Sequence, residues 1–305
     1  MKEQFLEDLH LNSKNEQQLI IINKIIEEYA KEGYILTLRQ LFYQLVSRDI
    51  IPNSQKEYAK LSGLLVKGRM AGVVDWEAIE DRIRVPHLPY WVYDIKDALN
   101  DTIKQYRLNR QERQDVYIEL WVEKDALSGV LKRITEEYHI NLMVNRGYSS
   151  CSAMHDAYKR IRNIVDNKKK VVVLYLGDHD PSGLNMIRYI KYRFIEFGLN
   201  SDVNEGNLDA DVIVKHIALT DEQVKQYNPP PNPAKFSYPR AKWYVEKYEK
   251  TSWEVDALNP KILNKLVKEE IESRIDMDLF DEQIEQERKD KEKLKQFIKQ
   301  SEAKQ

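Results

Sequence analysis

The sequence predicts two architectures in one chain: an all-α N-terminal domain, then an α/β domain on a parallel sheet, with a charged helical tail. Three observations lead there. Apolar residues recur at helical spacing from about residue 15 to 85. From Val116 onward, short apolar runs alternate with helical stretches of about a dozen residues, the pattern of a parallel sheet covered on both faces. Pro86 and Pro89 punctuate the junction. The division is 1–90 for the helical domain, 91–278 for the α/β domain and 279–305 for the tail.

In chain order, Leu19, Ile20, Ile22, Ile25, Ile26 and Tyr29 mark an amphipathic helix over residues 14 to 32, stopped at Gly33. Thr37 is placed to cap a second helix carrying Leu38, Phe42, Leu45 and Val46. Ser54 with Glu57 has capping-box spacing for a third helix, which runs to about Met70 and ends at Gly72. Val73 to Trp76 with Ile79 read as a short strand or wing, which makes this domain winged-helix-like. The α/β part reads as VYIELWVE, a helix from Asp125, INLMV, a helix from Cys151, VVVLYL, a helix from Pro181, and VIVKHIAL. The run Pro229 to Pro233 is excluded from helix and from central strand and reads as a surface excursion before a helix at 242–250. The tail offers only Phe280, Ile284, Leu294, Phe297 and Ile298 for burial, so it reads as a solvated terminal helix, with an interaction helix as the alternative.

Composition excludes several classes. The 305 residues hold 48 Lys plus Arg against 50 Asp plus Glu, a net charge of -2, so binding to nucleic acid must rest on a local basic face. One cysteine, Cys151, rules out an intrachain disulfide framework and a four-cysteine zinc site, and fits a cytoplasmic location. No apolar run is long enough to span a bilayer, so no membrane partner is expected. Gly63 and Gly68 have P-loop spacing but are followed by Arg69-Met70, which excludes an ATP site, and no Gly-x-Gly pair exists for a dinucleotide. Cys151 and His155, one helical turn apart, read as packing.

Carboxylates collect where two strands end. The first strand finishes in Glu123-Lys124-Asp125 and the third in Asp178-His179-Asp180-Pro181. Ligands bind at that edge of open parallel sheets, and an extended Gly177–Pro181 segment points Asp178 and Asp180 one way and His179 the other. Three hard oxygen donors suit Mg²⁺, one ion or two. The bland alternative makes Asp180 the N-cap of a helix beginning at Pro181, and Asp125 the N-cap of the helix after Glu123.

VEKDAL at 122–127, RGYSS at 146–150 and LGDHDPSG at 176–183, in this order, resemble the Toprim domain of topoisomerase VI A subunits and of the meiotic double-strand-break transesterase. The resemblance implies a Rossmann-like Toprim fold in which Glu123, Asp178 and Asp180 bind Mg²⁺, with Glu123 also in acid–base work, at a site acting on DNA phosphodiesters. The helix Thr37 to Tyr43 resembles the same family's winged-helix domain, where an Arg precedes the catalytic Tyr by four positions, as Arg39 precedes Tyr43. By that resemblance Tyr43 attacks a DNA phosphate, and the tyrosine of one protomer serves the metal site of the other, which implies a homodimer. HIALTDEQV and SWEVDAL extend the likeness to about Leu258 and leave open whether Glu254 or Asp256 adds a ligand. Strand passage in that family also needs a separate ATPase subunit, which this chain does not contain.

The helix from Ser54 to Met70 carries Lys56, Lys60, Lys67 and Arg69 against Glu57 alone, a local charge of +3, and is the candidate recognition helix. Lys60, Lys67 and Arg69 are its candidate DNA contacts. Arg240 and Lys242 are further candidates for the DNA backbone. Three functions compete: a DNA-cleaving tyrosine transesterase, a hydrolytic nuclease in which water replaces Tyr43, and a non-catalytic DNA-binding subunit of a larger complex.

Overall fold

The computed structural model describes residues 2–6, 11–80, 89–145, 150–233, 242–248 and 251–302. Residues 146–149 of the RGYSS motif, the linker proline Pro86, Arg240, and the side chain of Lys242 lie outside the described residues. Among those described, eleven α-helices accompany a five-stranded sheet, a mixed α/β architecture with a helical N-terminal part.

The N-terminal part consists of α1 (Ser13–Ala30), β1 (Leu36–Thr37), α2 (Leu38–Ser47), α3 (Gln55–Met70) and β2 (Ile79–Glu80). Thr37 builds a full capping box: its hydroxyl accepts from the Gln40 amide while the Gln40 side chain accepts from the Thr37 amide. Ser54 caps α3, but Glu57 does not reciprocate and instead meets Lys60 at 2.5 Å. The inward stripes of α1, α2 and α3 form one core with Leu36, Val74 and Ile79. The expected strand over Val73–Trp76 is displaced. Asp75 accepts from the Glu77 amide and winds Trp76–Ala78 into a 3-10 turn, so the strand begins at Ile79 and pairs in parallel with β1.

The sheet holds β3 (Val116–Val122), β4 (Asn141–Val144), β5 (Lys170–Leu176), β6 (Ser201–Asp202) and β7 (Val212–Ala218), all parallel, in the order β4-β3-β5-β7-β6. β6 is a two-residue edge strand that its polar sequence, Ser-Asp, does not announce. After β3 the chain crosses to one side to make β4, then returns to the other to make β5, so the strand order reverses between β3 and β5. Such a switch leaves a crevice at the strands' carboxyl ends. Alternation along each strand separates two cores. Ile118, Leu120, Val172 and Leu174 pack under α5 (Ser128–Tyr138) and α10 (Pro260–Glu272). Tyr117, Trp121, Val173 and Tyr175 pack under α6 (Cys151–Asp166) and α7 (Pro181–Glu196).

The remaining elements are α4 (Ile95–Gln105), α8 (Asp221–Tyr227), β8 (Pro231–Pro233), α9 (Lys242–Tyr248), β9 (Thr251–Trp253) and α11 (Met277–Glu302). The proline run is therefore not wholly irregular: Pro231–Pro233 pairs antiparallel with β9 in a two-stranded ribbon, where a residue lacking N–H is tolerated. α11 is not merely solvated. Phe280 stacks on Tyr138 with centroids 5.0 Å apart, and buried Glu287 accepts from the Leu108 amide. No helix among the described residues is long and apolar enough to cross a membrane.

Candidate active site at the carboxyl ends of the sheet

β3 and β5 run in register to Val122 and Leu176, so the residues that follow them emerge side by side at the switch point. The Glu123 amide donates to the Leu176 carbonyl at 2.9 Å, and Glu123 Oε2 accepts from the Asp178 amide at 2.9 Å. Glycine is required on this loop. A Cβ on Gly183 would lie 2.2 Å from the Asp178 carbonyl oxygen, so only glycine lets α7 start against the loop. Asp180 Oδ1 accepts from the Gly183 amide at 2.7 Å, with Pro181 in the first helical turn: the capping role is real, and it engages one oxygen only. Asp125 does not cap; Lys124 occupies the residue before the 3-10 turn Asp125–Leu127.

His179 turns away from the carboxylates. Its backbone pairs with Trp253 in both directions, and its ring sits among Tyr244, Tyr248 and Trp253, with Tyr244 Oη 3.0 Å from Nδ1. That bridge holds the segment after β9 against the Asp178 loop. The Val255 amide then donates to Asp178 Oδ1 at 3.0 Å.

This segment brings in Glu254 and Asp256, whose part in the site the sequence left open, to meet Lys124, to which it assigned no role. Lys124 Nζ lies 2.9 Å from Asp178 Oδ2, 2.9 Å from Glu254 Oε2 and 3.0 Å from Asp256 Oδ1, so one ammonium ties three carboxylates. Asp256 is fully buried and also receives Arg39 Nε at 2.6 Å. Arg39 reaches Glu254 as well, and Tyr43 Oη donates to Glu254 Oε2 at 2.6 Å. Asn232 Nδ2 donates to Tyr43 Oη at 3.3 Å. Arg39 and Tyr43, four apart on α2, thus share one face as their spacing predicts, with the guanidinium 5.7 Å from the phenol ring centre. They border a cleft of about 600 Å³ lined also by Asn53, Tyr58, Asn232 and Glu254.

The electrostatics follow from burial and crowding. Burial pushes the Glu123 carboxyl up, and Asp180 and Asp256 add to this. Asp178 is also pushed up by burial, with Glu123 and Asp256 adding, against the pull of Lys124. For Glu254, burial is outweighed by Lys124 and Arg39, which hold it at about 2. The Tyr43 hydroxyl is driven well above the usual phenol range, first by burial and then by Asp256 and Glu254, with Arg39 opposing only weakly. Arg39 therefore does not by itself make a phenolate here, and Tyr43 is buried rather than presented to solvent. Beneath the cluster the Tyr175 hydroxyl is buried with no formed hydrogen bond.

Among the described residues, no set of three or more His, Cys, Asp or Glu side chains is arranged to hold a metal ion directly. The donor chemistry nevertheless fits a hard cation. Among the described residues the hydrogen bonds to Glu123 and Asp180 fall on one oxygen each, five carboxylates (Glu123, Asp178, Asp180, Glu254 and Asp256) share the two cations Lys124 and Arg39, and Mg²⁺ takes only one or two carboxylates beside water and phosphate.

The candidate DNA contacts divide. Lys67 is exposed on α3; Lys60 is exposed but paired with Glu57. Arg69 does not face outward: its guanidinium donates to the Trp76 and Ile79 carbonyls at 2.8 and 2.7 Å and anchors the turn before β2. Its position as the penultimate residue of α3 gave no hint of this. Cys151 is exposed and His155 packs against Tyr158 and Phe197, so they form no dyad. No protein-family model matches the chain, and no curated protein matches its sequence.

Proposed function

We propose that this chain is a Mg²⁺-dependent DNA-cleaving protein of the topoisomerase VI A type, with a winged-helix-like N-terminal part, a Toprim-like sheet part and Tyr43 as nucleophile. One observation carries the reading. Arg39 and Tyr43, singled out on one helix, and Asp178, singled out on a distant strand, belong to one continuous network through Glu254, Lys124 and Asp256.

A magnesium ion held by Glu123 and Asp180, with Asp178 kept beside them by Lys124 and the Val255 amide, would supply positive charge at the scissile phosphate. The protein supplies the rest. A DNA phosphate entering the cleft competes with Glu254 for Arg39 and Lys124, and a Glu254 freed of those cations accepts the Tyr43 proton. The Tyr43 oxygen forms a bond to phosphorus as the bond from phosphorus to the sugar oxygen breaks. The departing sugar oxygen takes a proton from solvent, and the phosphotyrosyl link conserves the bond for resealing. Exposed Lys60 and Lys67 neutralise neighbouring phosphates. Strand passage would need a separate ATPase subunit.

The test is a denaturing gel after incubation with DNA and Mg²⁺ or Mn²⁺. The expected result is a protein-linked DNA end that disappears with Tyr43→Phe and with Asp178→Asn. The burial of Tyr43, which pushes its hydroxyl above the usual phenol range, favours a second reading, a hydrolytic nuclease in which water attacks and Tyr43 only orders Glu254. Free DNA ends that persist in Tyr43→Phe would establish it. DNA-dependent activity untouched by Asp178→Asn would leave a non-catalytic DNA-binding subunit.

A further inference from the structure

We infer that Tyr175 is a positioning residue of the cation site, its buried phenol being the donor that orients the Glu123 carboxylate when a divalent ion is bound. The inference rests on one part of the proposed function, that Glu123 and Asp180 take such an ion, and on neither choice of nucleophile.

Tyr175 is the last but one residue of β5 and stands in register between Trp121 on β3 and His216 on β7. Its ring is wholly buried in the core under α6 and α7, with Trp121, Met154 and Met186. A Cβ on Gly177 would lie 2.6 Å from Tyr175 Oη and 2.6 Å from its ring carbon Cε1, so the hydroxyl sits directly against the loop that carries Asp178 and Asp180. That stretch of backbone is itself held. The Gly177 amide donates to the Ala218 carbonyl at 2.7 Å, and the Gly177 carbonyl accepts from the Leu219 amide at 2.9 Å. Packing below and pinned main chain above leave the phenol fixed beneath the carboxylates.

Among the described residues the Tyr175 hydroxyl has no hydrogen-bond partner. A buried donor left unmade is costly, and an orphan of this kind beside a cluster of like charges points to a bond that function completes. Burial first, then Glu123, Asp178 and Asp180, drive the phenol far above its usual range, so it serves as a donor only. Glu123 is the carboxylate with room to accept. Asp178 already receives the Val255 amide on one oxygen and Lys124 on the other, and Asp180 Oδ1 caps α7. Glu123 accepts one amide, on Oε2, which leaves lone pairs for the phenol and for a cation together. A metal-binding carboxylate that is hydrogen-bonded from behind is held in orientation, and losing such a support weakens metal binding. Tyr117, in the same core on the neighbouring strand, is the contrasting case: its hydroxyl accepts from Asn141 at 2.7 Å and approaches Glu119 at 3.3 Å.

The experiment uses the full chain without DNA and Mn²⁺ as the probe. Uptake is followed by calorimetry and by water-proton relaxation, and thermal unfolding is recorded with and without the ion. Tyr175→Phe should unfold at or above the wild-type temperature in metal-free buffer, because it deletes an unbonded hydroxyl, yet bind Mn²⁺ about tenfold more weakly. Tyr117→Phe should do the reverse, unfolding at a lower temperature with Mn²⁺ affinity unchanged. Asp180→Asn, which keeps the cap and removes a ligand, should lose the uptake and so assign it to this site.

Equal Mn²⁺ affinity in Tyr175→Phe and wild type would overturn the inference and leave the metal site standing. A Tyr175→Phe chain that unfolds as early as Tyr117→Phe in metal-free buffer would overturn it too, since the hydroxyl would then have a partner without the ion. Absence of uptake by wild type, or uptake that survives Asp180→Asn, would fail the metal reading itself and the inference with it.

Discussion

Glu119 on β3 and Glu123, the first residue past its end and four positions on, live in opposite circumstances. Glu119 is completely buried and completely answered. Arg160 grips both oxygens at 2.6 and 2.9 Å, Trp121 Nε1 donates at 2.9 Å, and Tyr117 and Asn141 approach at 3.3 Å. Glu123, just past the strand's carboxyl end, accepts from a single amide among the described residues and feels Asp180 and Asp256 against the opposing pull of Lys124. The difference separates two uses of a buried carboxylate. One surrounded by donors and a guanidinium is a structural member; one left among like charges is poised for a cation or a proton.

The largest expected effect breaks the first of the pair. Glu119→Ala strands Arg160 and three neutral donors and should destabilise the fold by about 3 kcal/mol, the lower end for a broken buried pair because Arg160 is partly solvated. Urea denaturation measures it. Glu123→Gln should go the other way, holding or raising stability by up to about 1 kcal/mol while abolishing metal-dependent cleavage, since it removes repulsion rather than a bond. If both substitutions destabilise equally, the contrast is false.

A third ionisable side chain of the sheet sharpens the comparison by pH. His216 on β7 has no partner for Nε2, and burial lowers it to about 4. Between about 6.5 and 4 the unfolded chain takes up a proton that the folded chain refuses, so stability is intact above this window and declines as pH falls through it. The loss should total about 3 kcal/mol, from 1.36 kcal/mol per pH unit. Glu254 loses its contribution in a lower window, as pH falls from its unfolded value toward about 2, so the two are separable. His216→Phe should flatten the upper slope, measured by denaturation at pH 7 and pH 5; an unchanged slope would place the titration elsewhere.

Gly183 shows what sequence can and cannot convey. Gly183→Ala drives a Cβ into the Asp178 backbone and should cost about 2 kcal/mol, together with cleavage, read by thermal unfolding and the adduct assay. The glycine was legible as part of a motif, as were the four long strands of the parallel sheet, the Thr37 cap, and the inward stripes of α2 and α3, because each is written in local spacing. Lys124, Glu254 and Asp256 were visible only as letters near a motif, since their roles depend on β9 being pinned to His179 more than seventy residues earlier. A period-two Glu-x-Asp after a short strand, Glu254 and Asp256, was the available signal, and nothing local says what it will face. Likewise the structural role of Glu119 was hidden because its partner Arg160 lies on α6, beyond any local pattern.

The smallest effect applies the same logic to the cations of α3. Arg69 and Lys67 are neighbours in sequence, yet Arg69 satisfies two carbonyls inside the domain while Lys67 faces solvent. Arg69→Ala should therefore destabilise by about 1 kcal/mol, each lost carbonyl partner being cheap where water can replace it, and change DNA affinity only through folding. Lys67→Ala should leave urea stability within about 0.5 kcal/mol and weaken DNA binding uniformly across sequences, reducing the slope of log affinity against log salt by about one. Fluorescence anisotropy over a salt series measures both. A salt slope that drops for Arg69→Ala and not for Lys67→Ala would mean that the exposed face of α3 is not the one that meets phosphate, and would move the DNA path to the cleft beside Tyr43.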